Sequence, residues 1–293
     1  MTWILYRWTW RVASPLFVGA TPSGALNRCR VYVPARPFWG AITAELARLQ
    51  GDNHPKYQQV GEDLRKHARF SYLFPAERIG DEWRAWLPEY REGAGLVWAR
   101  EGGDAVLADR NLRRQLLGTR PATAVDPDSD SALDGSLRET ECVQTWWRRS
   151  DGSANNPVAL VGYVFIRKDR DEFVTRLSAL EQLFIGGDTR YGLGRLDHVA
   201  MRQATTVFGE AVDLAQPNPH VIASRVFAHV PFRDDLPMCG EQEALGGWDM
   251  TGRQQDRRVS GPAWTPGSRS LEEGSRNWAI VESGMARLAE GSP

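Results

Sequence analysis

The residue types best suited to hold a ligand are concentrated in residues 185–196. This segment contains four glycines, two arginines and one tyrosine, namely Gly186, Gly187, Arg190, Tyr191, Gly192, Gly194 and Arg195. Glycines at this density let a backbone pass close to another molecule. Arginine binds phosphates in bidentate fashion and stacks on bases. The segment therefore predicts contact with an anionic molecule, and Tyr191 adds a surface on which a base could stack.

A nucleotide P-loop is the first alternative for this segment. Residues 187–192 match its first six positions, but Leu193 and Gly194 stand where the P-loop has Lys and Ser or Thr. The apolar periodicity also predicts a helix before the segment and no helix after it, so the helix N-terminus that cradles phosphate is missing. The dinucleotide fingerprint fails for the same reason. A helix cap followed by a turn would need about two glycines, so the four glycines favour ligand contact.

Acidic and metal-ligating residues give weaker signals. Asp126, Asp128 and Asp130 have the spacing of a calcium loop, but the glycine and the terminal glutamate of such a loop are missing. A solvated turn is the favoured interpretation. The five histidines form no paired metal motif, and a lone histidine such as His198 is more often structural than catalytic. We therefore expect no metal and no cofactor.

The composition is that of a folded protein without a global charge signature. The 293 residues carry a net charge of -1, so any polyanion site must be a local patch. Three scattered cysteines fit neither a disulfide framework nor a zinc site. No apolar stretch approaches the length of a membrane span. These observations predict a soluble, cytoplasmic protein with no membrane partner.

Secondary-structure patterns outline the elements that must position these residues. Residues 2–12 alternate as a strand, and a second helix is predicted from Val60 to about Arg69. The first helix is predicted to begin near Phe38 and to end at Gly51, with an apolar stripe formed by Trp39, Ile42, Leu46 and Leu49. Residues 119–137 read as a long polar loop, which in a compact domain is usually functional or disordered. Further elements are predicted as an extended segment at 139–147, a strand at 158–167, a helix at 171–184 and a strand near 193–201.

This order predicts an α+β fold with a ferredoxin-like βαββαβ core. The core domain is assigned to residues 1–210, with an insertion at about 112–150. Residues 211–293 are rich in Gly, Pro and Arg and are predicted to form a C-terminal extension packed on that core.

Two glycine-containing motifs, in this order, resemble those of CRISPR-associated RAMP proteins. The segment after Phe184 reads Gly-Gly-x-x-x-x-Gly-Leu-Gly-Arg-Leu, like the family's glycine-rich motif. The N-terminal runs 14–19, 32–35 and 38–42 resemble the family's opening strand, its Tyr-x-Pro turn and its first helix. The resemblance covers about residues 2–202, and residues 120–141 resemble the family's inserted hairpin.

The resemblance implies a subunit that holds CRISPR guide RNA in a multisubunit type III-like effector complex of antiviral defence. Its partners would be guide RNA, other RAMP subunits and, as a further candidate, target RNA. The glycine-segment residues given above would contact the RNA backbone, with Arg36 and Trp39 as secondary candidates. A thumb would lie within residues 112–145, and the residues singled out at or near it are Arg120, Asp126, Trp146 and Trp147.

One departure from the family pattern argues against catalysis. Family members that cut target RNA carry an Asp in the loop before the Tyr-x-Pro turn, but residues 20–30 contain no acid. The resemblance therefore favours a subunit that caps the 5′ handle of the guide, or a terminal backbone subunit, and the chain is not expected to be an enzyme. Two alternatives stay open: a ribonuclease that uses Asp126 or His198, and a scaffold whose tryptophans bind only proteins.

The Trp146-Trp147-Arg148-Arg149 run has two interpretations of equal weight. It is either the end of a strand with one tryptophan buried, or an aromatic and basic contact for RNA or a partner at the base of the thumb.

Overall fold

The computed structural model describes residues 3–51, 54–149, 156–249 and 256–289. These residues form a mixed α+β fold that consists mostly of sheet. The helices are α1 (Ala35–Leu49), α2 (Tyr57–His67), α3 (Asp109–Leu116) and α4 (Asp171–Ser178), and a 3₁₀ turn spans Thr189–Tyr191. The strands are β1 (Trp3–Val12), β2 (Leu26–Asn27), β3 (Ala68–Phe70), β4 (Phe74–Ile79), β5 (Glu82–Arg91), β6 (Gly95–Arg100), β7 (Val106–Ala108), β8 (Leu117–Ala122), β9 (Val125–Asp126), β10 (Ser131–Ala132), β11 (Arg138–Val143), β12 (Trp146–Trp147), β13 (Asn156–Arg167), β14 (Gln182–Phe184), β15 (Arg195–Gln203), β16 (Ala211–Asp213), β17 (His220–Ala223), β18 (Val230–Pro231), β19 (Met238–Cys239), β20 (Gln242–Asp249), β21 (Asp256–Trp264), β22 (Arg269–Ser270), β23 (Arg276–Ile280) and β24 (Ala286–Leu288).

A large sheet organises the molecule. Its order is β14-β15-β1-β13-β4-β5-β6-β7, and β3 and β12 also pair with β13. The central strand β1 runs antiparallel to both neighbours, with Thr9 opposite Val161 of β13 and Ala200 of β15. Because β1 is central, residues on both of its faces are buried, with Trp8 on one face and Thr9 on the other. The predicted alternation is therefore present, but the strand is more buried than a half-exposed strand would be.

The apolar face of β1 packs against α1. Trp8 and Trp10 lie against Phe38 in edge-on ring contacts, with ring centroids 5.5 and 6.5 Å away. The predicted stripe of α1 is right at Ile42 and Leu46, which are buried, but wrong at Leu49, which is 62 % exposed. Phe38 is fully buried while Trp39 of the predicted stripe is only half-buried, so the buried face of the helix is rotated relative to that stripe.

The helix predicted over 171–184 is too long, and this changes the setting of the glycine segment. Helix α4 ends at Ser178, and residues 182–184 form the edge strand β14. Pairing of Leu183 with Leu196 of β15 buries both side chains, so tertiary packing overrides the helical periodicity here. The glycine segment is therefore a loop between two antiparallel strands, and the prediction that it follows a helix is wrong.

Residues 117–143 form a long hairpin, where the polar pattern alone predicted a loop over 119–137. Its arms β8 and β11 are antiparallel, with Arg120 opposite Thr140, and the short strands β9 and β10 pair nearer its tip. The arms lead at their root into α3 and β12, which attach the hairpin to the main sheet. The hairpin therefore projects from a fixed base.

The C-terminal strands form three small sheets that share the apolar core of the main sheet. Trp278 of β23 is buried and its Nε1 donates to the carbonyl of Ala223. Ala286 donates its N–H to the carbonyl of His229. Among the described residues, no helix combines the length and apolar character needed to cross a membrane.

Candidate nucleic-acid interface

The glycine loop is tied to residues 14–17 at the end of β1. Gly187 donates its N–H to the Phe17 carbonyl at 2.9 Å, and Gly194 donates to the Pro15 carbonyl at 2.8 Å. The N–H of Arg195 donates to Ser14 Oγ at 2.9 Å. The structure thus joins the two motifs that the sequence analysis singled out.

Two glycines in this loop have an internal reason to be glycine. Gly186 and Gly194 adopt φ values of +86° and +80°, which side chains rarely adopt. A Cβ at Gly186 would also overlap the carbonyl oxygen of Phe17, and one at Gly194 would overlap that of Ile185. Packing therefore accounts for these glycines, and the amides of Gly187 and Gly194 are already used within the protein. Contact with RNA at these positions stays a prediction.

The outward-facing part of the loop is its 3₁₀ turn, which carries Arg190 and Tyr191. Tyr191 is 68 % exposed, and the guanidinium of Arg138 lies over its ring, 5.4 Å from the centroid. Arg138 also approaches Asp188 at 3.8 Å. Gly192 ends the turn with φ +82° and has open space around its Cα. The turn is therefore braced by the hairpin while its aromatic face stays accessible.

The arms of the hairpin and the glycine loop together line a groove of about 400 Å³. Its walls are formed by Arg120, Pro121, Ala122, Thr123, Ala124, Ser136, Arg138, Thr140, Asp188, Tyr191 and Leu193. Two residues predicted independently, Arg120 and Tyr191, thus meet in one groove. Such a groove, with cationic side chains and an exposed ring, suits a single-stranded polyanion that carries bases.

The arginines around the groove differ in their pairing. Within the part of the chain that the structure describes, Arg120 and Arg190 have no acidic partner. Arg195 instead pairs with Asp197 at 2.9 Å, and Arg11 contacts the same carboxylate at 2.6 Å. Burial raises the pKa of Asp197, but the hydrogen bonds from Arg11 and Arg195 outweigh it and lower that pKa. The available positive charge therefore lies at Arg120 and Arg190.

The secondary candidates on α1 lie apart from this groove. The Trp39 ring is half-buried against α2, where Arg65 stacks over it at 4.9 Å and Gly61 leaves room for it. Arg36 is exposed at the start of α1. Neither side chain lines the groove, so a role for them in RNA contact remains a prediction without a structural link to the glycine loop.

The two adjacent tryptophans at the hairpin root face opposite ways. Trp147 is buried against Trp86, and its Nε1 donates to the Ala76 carbonyl at 3.2 Å. Trp146 is 48 % exposed. The strand-end interpretation therefore holds for Trp147, which belongs to the core, while Trp146 is free to contact another molecule.

Asp126 and His198, the candidate catalytic residues of the ribonuclease alternative, are both held by contacts within the protein. Asp126 accepts a hydrogen bond from the N–H of Asp128 at 3.0 Å, and such bonds lower its pKa. His198 packs on Trp10 with ring centroids 5.1 Å apart, and burial lowers its pKa. Among the described residues, no three metal-ligating side chains cluster. Cys29 and Cys142 are buried thiols, and burial raises their pKa values to about 12 and about 11.

A buried polar network joins the main sheet to the C-terminal strands. The Tyr72 hydroxyl lies 2.7 Å from His229 Nδ1, and His229 Nε2 lies 2.7 Å from Glu243. Tyr32 and Arg30 both donate to the same carboxylate. Burial lowers the pKa of His229, and a neutral ring that donates from Nε2 to Glu243 and accepts at Nδ1 from Tyr72 satisfies both partners.

Sequence reasoning missed Arg138, which forms one wall of the groove and holds Tyr191. Arg138 lies two residues before Thr140 and so on the same face of β11, and Thr140 stands opposite the predicted residue Arg120 of β8. This position is the signal that could have identified it. That signal requires the register of the hairpin, which the polar composition of residues 119–137 does not reveal.

A second and wider cavity, of about 910 Å³, lies on the open face of the main sheet. It is lined by β1, β15 and the turns of the β4–β5 and β6–β7 hairpins, and five arginines face it. Four of the five form ion pairs: Arg7 with Glu101, Arg11 with Asp197, Arg78 with Asp81, and Arg84 with Asp104 and Glu82. Arg202 is the exception among the described residues.

Comparison with known proteins places the fold but not the family. No protein-family model and no curated protein matches the sequence. One similar solved structure is a chain of the Type III-B Cmr-beta bound to cognate target RNA and AMPPnP, with a TM-score of 0.54 and 10% identity over 90% of this chain and 85% of that one. A chain of the Type III-B Cmr-beta bound to cognate target RNA gives the same TM-score with 12% identity over 90% and 86%. At these identities the likeness shows a shared fold.

Proposed function

We propose that this chain is a non-catalytic, guide-RNA-binding subunit of a type III CRISPR ribonucleoprotein effector complex. The observation that carries the proposal is the groove in which the hairpin arms and the glycine loop meet, with Arg120 and Tyr191 in its walls. The shared fold with chains of the Type III-B Cmr-beta and the two sequence motifs support it. Other subunits of the same complex would be its protein partners.

The proposal includes a ferredoxin-like RAMP core. The strands β15, β1, β13 and β4 are adjacent in that order and antiparallel, and α1 and α4 connect β1 to β4 and β13 to β15. A βαββαβ unit has this order when its fourth, first, third and second strands are neighbours. The hairpin at 117–143 would then be the thumb inserted between its second and third strands.

In the proposed mode of binding, the groove holds RNA by its backbone. Arg120 and Arg190 bind phosphates, which requires no particular sequence. The exposed ring of Tyr191 stacks on one base, and Arg138 keeps the ring in place from behind. A guide-holding subunit needs this kind of contact, because every guide has a different sequence.

The proposal assigns no catalytic residue to this chain. Residues 20–30 lack the acid that the RAMP resemblance associates with target cleavage. Asp126 is engaged in a turn and His198 is packed on a tryptophan. A position at the 5′ handle of the guide, or at the end of the backbone, would suit a subunit of this kind.

The test uses the full chain and a labelled single-stranded RNA, with affinity measured by fluorescence anisotropy over a range of salt. Tyr191→Ala should weaken binding by about 1–3 kcal/mol, because one stacked base is lost. Arg120→Ala with Arg190→Ala should reduce the slope of log K against log salt by about 0.7 for each arginine.

The matched control is Arg91→Ala, which removes an exposed arginine that pairs with Glu89 far along the sheet. Its affinity should equal that of the unchanged chain. Groove variants that bind RNA as tightly as this control would refute the proposed site. RNA cleavage that disappears with Asp126→Ala would replace the proposal with the ribonuclease alternative.

A further inference from the structure

The root of the hairpin carries a basic and aromatic patch that the groove does not include. We define the root patch as Trp146 and Arg148 of the β12 segment with Arg110 and Arg114 of α3. Trp147 points into the core, so its neighbours Trp146 and Arg148 point to the opposite, exposed side of the strand. Trp146 and Arg148 are therefore exposed, and the strand that carries them is fixed to the core by the buried Trp147.

Backbone hydrogen bonds place α3 beside this strand. The N–H of Arg148 donates to the Gln115 carbonyl at 2.8 Å, and the N–H of Gln144 donates to the Leu116 carbonyl at 2.9 Å. Leu112 and Leu116 bury one face of α3. Arg110 and Arg114, four residues apart, share the exposed face. The exposed face of α3 therefore belongs to a helix bonded directly to the strand that carries Trp146.

The charge of the root patch is not compensated. Among residues 3–51, 54–149, 156–249 and 256–289, no acid pairs with Arg110, Arg114 or Arg148. The adjacent Arg149 behaves differently, because it pairs with the buried Glu77, which Arg100 also contacts. Three arginines around one exposed indole suit a polyanion with stacking groups, since arginine binds phosphates and tryptophan stacks on bases.

The root patch also continues the line of the groove. Arg120 of the groove stands opposite Thr140, and three pairs closer to the root Leu117 stands opposite Val143. Three residues of strand span about 10 Å. The patch begins where these arms end, at the last turn of α3 and the start of β12.

We propose that the root patch is a second contact for single-stranded RNA, which holds the nucleotides next to those in the groove. One base stacks on Trp146, while Arg114 and Arg148 bind the flanking phosphates. This inference rests on the proposed function, because it extends the RNA path of the groove. A protein partner is the competing occupant, since tryptophan and arginine are also common in protein interfaces. The lack of paired acids and the continuity with the groove favour RNA.

The test compares two oligouridylates bound to the full chain, one of about 4 nucleotides and one of about 12, within the range of single-strand site sizes. The variant with Trp146→Ala, Arg114→Ala and Arg148→Ala should bind the longer RNA at least about tenfold more weakly and the shorter RNA unchanged. Tyr191→Ala should weaken both. Trp146→Phe, which keeps an aromatic face, should retain most of the affinity for the longer RNA.

The outcomes separate this inference from the proposed function. If the triple variant binds the longer RNA normally while Tyr191→Ala does not, the root patch is refuted and the groove stands. If neither RNA binds the unchanged chain, both proposals fail. If the triple variant keeps RNA affinity but loses a protein that co-purifies with the unchanged chain, the patch is a protein interface and the inference is overturned. An unchanged far-ultraviolet circular dichroism spectrum establishes that the triple variant is folded.

Discussion

Two arginine-rich regions of this protein look alike in sequence and differ in structure. The wide cavity on the open sheet face holds five arginines, four of which are ion-paired. The smaller groove and the root patch hold arginines such as Arg114, Arg120 and Arg148 that lack acidic partners among the described residues. Cavity size and arginine count alone therefore do not distinguish a polyanion site from a cluster of structural ion pairs. The two regions differ in whether each guanidinium forms an ion pair with an acid of the protein.

The largest effect should come from breaking a paired arginine of the wide cavity. Arg7 donates to Glu101, to the Tyr163 hydroxyl and to the Trp83 carbonyl. Arg7→Ala leaves Glu101 partly buried without its partner and should cost about 2–3 kcal/mol of unfolding free energy, below the value for a fully buried pair. Denaturant unfolding measures this cost.

The same variant should bind RNA normally once folded, while Arg120→Ala should show the reverse pattern of normal stability and weaker binding. A stable Arg7→Ala chain with impaired RNA affinity would contradict the division between the two regions.

A second prediction concerns Glu243, the acid paired with Arg30 in the buried network. Burial raises the pKa of Glu243, but the hydrogen bonds from His229 and Arg30 outweigh it and lower that pKa to about 2. Because the folded-state pKa lies below its ordinary value of 4.5, the carboxylate stabilises the fold above about pH 4.5. That contribution, up to about 3 kcal/mol, is lost as the pH falls towards 2.

The measurement is the unfolding free energy across this pH window, compared with Glu243→Gln. The variant should be less stable at neutral pH and should show a shallower dependence on pH between about 4.5 and 2. Identical pH profiles of the two chains would show that this network does not contribute as described.

The smallest predicted effect is the difference in stability cost between alanine substitutions at two glycines of the same loop. Gly194→Ala combines positive φ with overlap of the Ile185 carbonyl, so it should cost more than about 2 kcal/mol of stability and displace Tyr191. Gly192→Ala has only the positive φ and should cost about 1 kcal/mol. Thermal unfolding compares the two, and equal costs would show that the loop is not anchored as described.

The sequence predicted the parts of the fold that depend on strong local periodicity. The strands at 158–167 and 2–12 agree with the structure because apolar spacing directly reflects a buried face. Helix α1 begins at Ala35, three residues before its predicted start. The segment 182–184 could not be predicted, because its pairing with β15 is a long-range contact that competes with a helical pattern. The rejection of a P-loop nevertheless stands, since the loop leads into a strand and lacks the Lys.

For the candidate site, the sequence found residue types but not their pairing. Arg190 and Arg195 are equivalent in the motif, yet among the described residues only Arg195 has an acidic partner, Asp197, two residues further along its strand. Trp146 and Trp147 are likewise adjacent and identical in type, and strand alternation sends one to the core and one to the surface. Arg138 was missed because its role depends on the register of the hairpin. The ion-pair partner of an arginine and the side of a strand on which a side chain lies are set only in the folded chain.

The attachment of the glycine loop to residues 14–17 has a consequence for folding during synthesis. The bond from Arg195 to Ser14 joins positions 181 residues apart. Contacts of such long range form late, after most of the chain has left the ribosome. The groove therefore does not exist on a nascent chain that ends before residue 195. Under the proposed function, a growing chain would be unable to hold RNA in this groove until residue 195 has been added.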